Sequence, residues 1–304
     1  MRVGLETTSA GAGTRTGSAA PLVMLSFVTL VWAVNFPVAK FARDQVPSIP
    51  LTLLRVAVAT VVYTTVGGRR VKEAIFSWKG LRAIVPLAAL GIVANQLLFI
   101  EGLGRTTAAR SAIVVALIPA VVALLAHRFL RERLSPRKWV GIALAFAGVA
   151  VVEVPAVREN LSAGYLVGDG ITFLAVCAFS SYTVLAKRAV SGFGPLVTMA
   201  GCYIVASLLF LPLLPGAISF EWRSVTPRGW LALGYMSLFA TVFAYLGHCW
   251  ALSRIESGRV AVFTCLQPIL AGLIAWVCFH EPLPAPLVAG GAVVLAGVLL
   301  VQIG

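Results

Sequence analysis

The stretch GLGRTTAARSAIVVALIPAVVALLAHRFLRERLSPRKWVGIALAFAGVAVV, Gly102 to Val152, recurs 149 residues later as ALSRIESGRVAVFTCLQPILAGLIAWVCFHEPLPAPLVAGGAVVLAGVLLV, Ala251 to Val301. Without a gap, 16 of the 51 aligned positions are identical, among them Arg105/Arg254, Arg110/Arg259, Leu117/Leu266, Pro119/Pro268, Glu132/Glu281, Gly141/Gly290 and Gly148/Gly297. Shared apolar composition alone gives fewer matches, so the chain is a duplication of one unit.

Composition assigns the unit to the bilayer. The 304 residues are 60% hydrophobic and 12% charged, with a mean hydropathy of +0.96, too few polar groups to cover a water-exposed surface. A hydrocarbon core about 30 Å thick takes about 20 apolar residues per helix, and a helix satisfies its own backbone groups there. Ten segments fit: 21–39, 49–66, 83–103, 108–130, 137–154, 165–187, 194–214, 229–252, 259–279 and 285–303. The expected fold is all-α and membrane-embedded, with a flexible tail over 1–20, one five-helix repeat over 21–156 and a second over 164–303. A cleavable leader is a poorer account of the tail, because the small-residue stretch Ser18-Ala19-Ala20 precedes the apolar segment instead of following it.

Lys and Arg set the expected orientation, since positive loops near membrane segments stay in the cytoplasm. With the amino terminus inside, 16 of the 24 Lys and Arg fall on the cytoplasmic side and seven on the other, with Arg55 inside a segment. Both termini are then cytoplasmic. Five helices per copy is odd, so the second copy enters the lipid from the opposite face and the repeat is inverted. The loops around Glu132 and Glu281 agree: Arg131, Arg133, Arg137 and Lys138 surround the first, whereas His280, Pro282, Pro286 and Leu287 take their places around the second. This bias also accounts for the formal net charge of +13 without nucleic acid as a partner.

Enzymatic chemistry has little to stand on. The three histidines, His127, His248 and His280, share no metal-ligand spacing, and the cysteines, Cys177, Cys202, Cys249, Cys265 and Cys278, lie inside segments as reduced packing residues. No Gly-x-x-x-x-Gly-Lys-Ser/Thr loop is present, so no nucleotide, metal or other cofactor is implied.

Inverted repeats provide a route to alternating access, with a solute site near the midplane where helices are interrupted. Pro119 and Pro268 fall mid-segment at equivalent positions and remove the hydrogen bonds to the carbonyls of Val115 and Thr264. The kinks serve either gating or plain packing. The segment Trp32-Ala33-Val34-Asn35-Phe36-Pro37-Val38-Ala39-Lys40, the twin prolines, the paired glutamates and the glycine endings of the fifth and tenth segments together resemble the EamA family of the drug/metabolite transporter superfamily. Ala33 stands where that family commonly has Gly. The resemblance covers nearly the whole chain after residue 20 and implies a ten-helix carrier of the bacterial inner membrane, often an exporter of amino acids or other small metabolites.

Polar and aromatic residues at helix midpoints are costly against lipid, so they face a cavity or the bundle interior. Trp32 and Asn35 share a face of the first segment, and Phe179 and Tyr182, beside Ser180, are their counterparts on the sixth. Asn95, Gln96 and Phe99 on the third match Ala244, Tyr245 and His248 on the eighth; Gln267 precedes Pro268. These residues line a solute pocket or else only join and fill the helices; His248, near a segment end, also fits a solvated position. No acid lies at a midplane. Arg55 is expected to pair with Glu101 at similar depth, as a structural pair, an outer gate or a holder of a solute carboxylate. A midplane without fixed charge favours a neutral or zwitterionic metabolite, with a non-transporting scaffold or lipid-binding protein as the alternative. The stripe Gly141, Ala145, Gly148 admits close helix approach, within one chain or across a weak homodimer.

Overall fold

The computed structural model describes residues 19–131, 133–158, 163–255, 260, 263, 266–280 and 282–303. The amino-terminal tail before Ala19, the pair Glu132/Glu281, and Arg259, Thr264 and Cys265 lie outside the described residues.

The described residues form helices joined by short turns, with no strand among them. Helix α1 is Ala19–Gln45, α2 is Ser48–Phe76, α3 is Trp78–Leu87 and α4 is Asn95–Leu103. Helix α5 is Ala108–Val115, α6 is Ile118–Leu130, α7 is Pro136–Arg158 and α8 is Ala163–Phe193. There follow α9 (Pro195–Leu209), α10 (Leu214–Ile218), α11 (Pro227–Tyr235), α12 (Ala244–Leu252), α13 (Leu266–Phe279) and α14 (Ala285–Ile303). Among the described residues, seven helices are long and apolar enough to cross a membrane, and an eighth forms if Pro195–Leu209 and Leu211–Ile218, bent by 47°, count as one span. The helix Leu266–Cys278 is apolar but shorter. The outward faces carry Phe129, Ile218, Leu231 and Ile303, exposed apolar side chains that suit lipid contact.

Local chemistry explains where the helices begin and bend. Thr107 caps α5, its hydroxyl accepting from the Arg110 amide at 3.2 Å, and Thr226 caps α11 through the Gly229 amide at 3.1 Å. Gly68, at φ 55° and ψ −142°, breaks α2 at a conformation that costs glycine least. The fourth segment is split between α5 and α6, where the Leu117 amide turns back to Val114 O at 3.1 Å just before Pro119. Pro268 takes the corresponding place, third residue of α13. Proline here starts a helix, where its missing donor costs nothing, instead of kinking one.

The duplication is legible in the backbone. The third and eighth segments each contain a widened π-helical stretch, Ala88–Ala94 and Met236–Phe243, and the first lies on the second when shifted by 149. The two non-glycine residues with positive φ among those described, Arg131 at 57° and His280 at 56°, are also 149 apart and end α6 and α13 alike. The interfaces follow the same exchange: α4 and α6 pack on α8, while α12 and α13 pack on α1. Across the middle, α2 lies on α9 and α5 on α13.

Helices α7 and α14 form the closest pair. A Cβ added to Gly148 would stand 2.7 Å from Gly290 O, and one added to Gly141 would stand 2.6 Å from Gly297 O, so the two helices run antiparallel with their small residues in backbone contact. The stripe is thus covered within the chain. Lys40 is also used internally: its Nζ donates to Leu103 O and Gly104 O at 3.2 and 3.3 Å, closing the end of α4. Cys278, expected as a packing residue, is exposed.

Candidate functional site

One cavity, about 80 Å³ in volume, forms where α1, α2, α4, α8, α12 and α13 meet beside the break between α5 and α6. Trp32, Asn35, Asn95, Gln96, Phe99, Phe179, Tyr245 and Gln267 line it. Phe36, Arg55, Val115, Ile118, Ala175 and Val176 complete the wall. Val115 and Ile118 flank the break before Pro119, so the interrupted helix contributes directly to the lining.

Ring packing holds the aromatic wall. Trp32 meets Phe179 edge to face at 5.9 Å and Tyr245 at 5.6 Å, and Phe36 meets Phe99 at 5.4 Å. Such contacts each add about 0.5–1.5 kcal/mol beyond burial. The π-helical stretch Met236–Phe243 supplies anchors. Its wider turn takes carbonyls out of the regular ladder, and side-chain donors replace the missing amides. Trp32 Nε1 donates to Ala240 O at 3.1 Å and the Tyr63 hydroxyl to Val242 O at 2.5 Å. Neither the stretch nor Tyr63 is visible as a local pattern in the sequence.

The amides fall into two groups. Asn95 is fully engaged, its Nδ2 donating to Ala175 O at 3.1 Å and its Oδ1 accepting from the Tyr245 hydroxyl at 2.9 Å. Gln96 donates through Nε2 to the Tyr203 hydroxyl at 2.9 Å, while its Oε1 has no protein partner. Asn35 Oδ1 is likewise buried and unpartnered. Two residues of the lining therefore carry a buried acceptor without a partner.

Three expected lining residues stand behind the wall. Tyr182 is fully buried, its hydroxyl 3.0 Å from Cys249 Sγ, and its ring fills the space left by Gly91, where a Cβ would come within 2.3 Å of Cδ2. Ser180 lies beside the broken helix, its Oγ 3.5 Å from Ile118 O. His248 is not solvated: it is buried, with its ring 5.4 Å from Trp32 and 5.6 Å from Phe179. Its place three residues after Tyr245 turns it toward α1, a contact that position along the segment does not disclose.

Arg55 and Glu101 do not pair. Glu101 is held by Arg105 one turn later, Nη2 to Oε1 at 2.6 Å, by Arg43 at 3.4 Å and by the Ser48 hydroxyl at 2.5 Å. The i, i+4 spacing and the end of α1 bring those partners closer than α2 brings Arg55. Arg55 turns inward and donates through Nε to Thr241 Oγ1 at 2.9 Å. The expectation of an uncharged midplane hollow is corrected accordingly: a guanidinium lines it. The signal was present in the sequence as a lone cation within an apolar span, which by default marks a functional position.

A second, partly buried ionic group leaves no local mark in the sequence. Arg110 on α5 bridges Asp169 on α8, Nε to Oδ2 at 2.8 Å, and Glu153 on α7, Nη2 to Oε2 at 2.6 Å. It also donates through Nη1 to Val152 O at 3.2 Å. Two acids near the ends of different segments give no sequence hint that one arginine gathers both.

Comparison with known proteins places this architecture. The model of the EamA-like transporter family matches residues 19–154 and 166–303, the two copies of the repeat. An uncharacterized transporter of Archaeoglobus fulgidus is 27% identical over 281 residues, covering 92% of this chain and 97% of its own. A protein of Streptantibioticus cattleyicolor named as a probable terminal-alkyne amino-acid exporter is 25% identical over 282 residues, covering 91% and 92%. A crystal structure with a TM-score of 0.67, covering 93% of this chain and 96% of its own at 17% identity, shares the fold.

Proposed function

The chain belongs to the EamA-like transporter family, and on that premise we propose that it is a secondary carrier of a small metabolite, an amino acid or a related compound, working by alternating access. In this proposal the shorter and bent helices complete ten spans, arranged as two inverted five-helix repeats with both termini cytoplasmic in a bacterial inner membrane, and physiological flux is outward.

The observation that carries the proposal is the position of the cavity. Trp32 and Phe179, equivalent residues of the two copies, touch across it, so the hollow lies at the seam where exchange of conformation between copies opens one face and closes the other. The broken segment at Pro119, with Val115 and Ile118 on the wall, provides a hinge beside the site. The antiparallel contact of α7 with α14 supports inversion. The name of the Streptantibioticus cattleyicolor relative supports amino acids as the class to test first.

The test is flux into and out of proteoliposomes holding the purified protein, with labelled amino acids, alongside a screen in which expressing cells are challenged with toxic amino-acid analogues. Saturable flux and protection of the cells are expected. Absence of saturable flux over a broad solute panel would favour a scaffold or lipid-binding role.

A further inference from the structure

Among the described residues of the cavity lining, Arg55 is the one with a full charge. It is 3% exposed, its Nε is fixed on Thr241 Oγ1, and Thr241 in turn donates to Met236 O at 2.7 Å, so the inner edge of the guanidinium is anchored to the π-helical stretch. Its Nη1 is buried and has no acceptor in the protein. Among the described residues, the acids near the helix ends are committed elsewhere, Glu101 to Arg43 and Arg105, and Glu153 and Asp169 to Arg110. A guanidinium cannot lose its proton and discharges its burial cost only against an acceptor, best a carboxylate, which its planar fork fits.

We propose that Arg55 selects the cargo: its free Nη1 edge binds a carboxylate of the transported solute, and a solute lacking one is refused. This rests on the transport reading above. The remaining polar atoms complement that role, because Asn35 Oδ1 and Gln96 Oε1 are free acceptors suited to a donor such as an ammonium group. The rings of Trp32, Phe99 and Phe179 receive an apolar or aromatic body. The arrangement is not duplicated. Thr60 and Ser207, 147 residues apart, share a hydrogen bond at 2.8 Å, and the same spacing carries Arg55 onto Cys202, an apolar position. The hollow accepts one carboxylate, in one place.

Matched probes test this: L-phenylalanine, 3-phenylpropionate and phenethylamine, then leucine, 4-methylpentanoate and isopentylamine, each measured by thermal protection of the purified full chain. The acids are expected to protect, and the amines to bind at least about tenfold more weakly, the loss of one charge-assisted hydrogen bond. Arg55→Gln should abolish that preference and Arg55→Lys retain it in weakened form, with the unliganded melting temperature of each recording its fold. Amines protecting the wild type as well as acids, no protection by any acid, or a preference that survives in Arg55→Gln would each overturn the assignment. The two readings fail separately. Saturable flux of a carboxylate-free solute leaves transport standing and removes Arg55 from selection. Carboxylate-dependent binding without flux leaves Arg55 in place and removes transport.

Discussion

Trp32 and Phe179 meet edge to face, 5.9 Å between ring centroids and 87° between planes, and they are the same position of a duplicated unit, 147 residues apart. Equivalent residues touch only near the axis that relates the copies, so this contact marks the seam. Thr60 and Ser207, also 147 apart, mark it again through their hydroxyl contact at 2.8 Å. The cavity therefore belongs to neither copy, and a substitution on its wall acts on both.

Replacing Trp32 by Phe keeps a ring against Phe179 but removes the donor to Ala240 O. That carbonyl lies in the π-helical stretch and loses a side-chain partner, a change of about 1–3 kcal/mol for a buried group. A lower melting temperature and reduced flux are expected together, measured on the purified protein and in proteoliposomes. Wild-type behaviour in both assays would show that the bond is dispensable.

Tyr245→Phe deletes the hydroxyl that donates to Asn95 Oδ1, and Gln96→Ala deletes a free acceptor on the wall. Interhelical hydrogen bonds in membranes average about 0.6 kcal/mol, so expression and folding should survive both changes while the solute concentration for half-maximal flux rises. Unchanged kinetics in both variants would remove these residues from the site.

Arg110 holds Glu153 and Asp169 together, and Arg110→Met would leave the buried Asp169 facing the half-buried Glu153 without a cation. Breaking such a group by removing one partner costs about 3–5 kcal/mol. The variant should unfold at markedly lower temperature, and adding Glu153→Gln with Asp169→Asn should recover part of the loss. If the single substitution melts like the parent, the group contributes nothing to stability.

Gly148→Ile tests the α7–α14 contact. Its Cβ alone would stand 2.6 Å from Val294 N and 2.7 Å from Gly290 O, backbone atoms that cannot rotate away. Overpacking of this kind costs about 1–3 kcal/mol or more, so aggregation or poor membrane yield is expected. Gly170→Ala, which meets nothing within 4 Å, is the control that should behave as wild type. Comparable yield of the two variants would sink the close-approach account.

The helical segments, the break at Pro119 and the small-residue stripe were open to reading along the chain, because each depends on local composition or on a residue that cannot donate. Trp32, Asn35, Asn95, Gln96, Phe99, Phe179, Tyr245 and Gln267 share polar or aromatic character in mid-span, and the structure gathers them around one cavity. Tyr182 and His248 share that character and yet sit behind it. Which side of a ring faces the hollow depends on the neighbouring helix, as with Gly91 opening a slot for Tyr182, and no spacing within a segment reports that. The π-helical stretch Met236–Phe243 leaves no local mark for a related reason: its widened turn is stabilised by donors such as Trp32 and Tyr63, which come from α1 and α2.

Read alone, the residues decide that the chain is a duplicated membrane bundle, since hydropathy and identity at a fixed offset are properties of the covalent string. They do not decide which charges meet. Arg55 and Glu101 are matched by depth along their segments, but Arg43, Arg105 and Ser48 reach the glutamate first, and the guanidinium is left in the cavity with Thr241. Arg110 gathers acids from two other helices. Coulomb and hydrogen-bond energies fall away over a few ångströms, and those distances are set by how helices far apart in sequence pack.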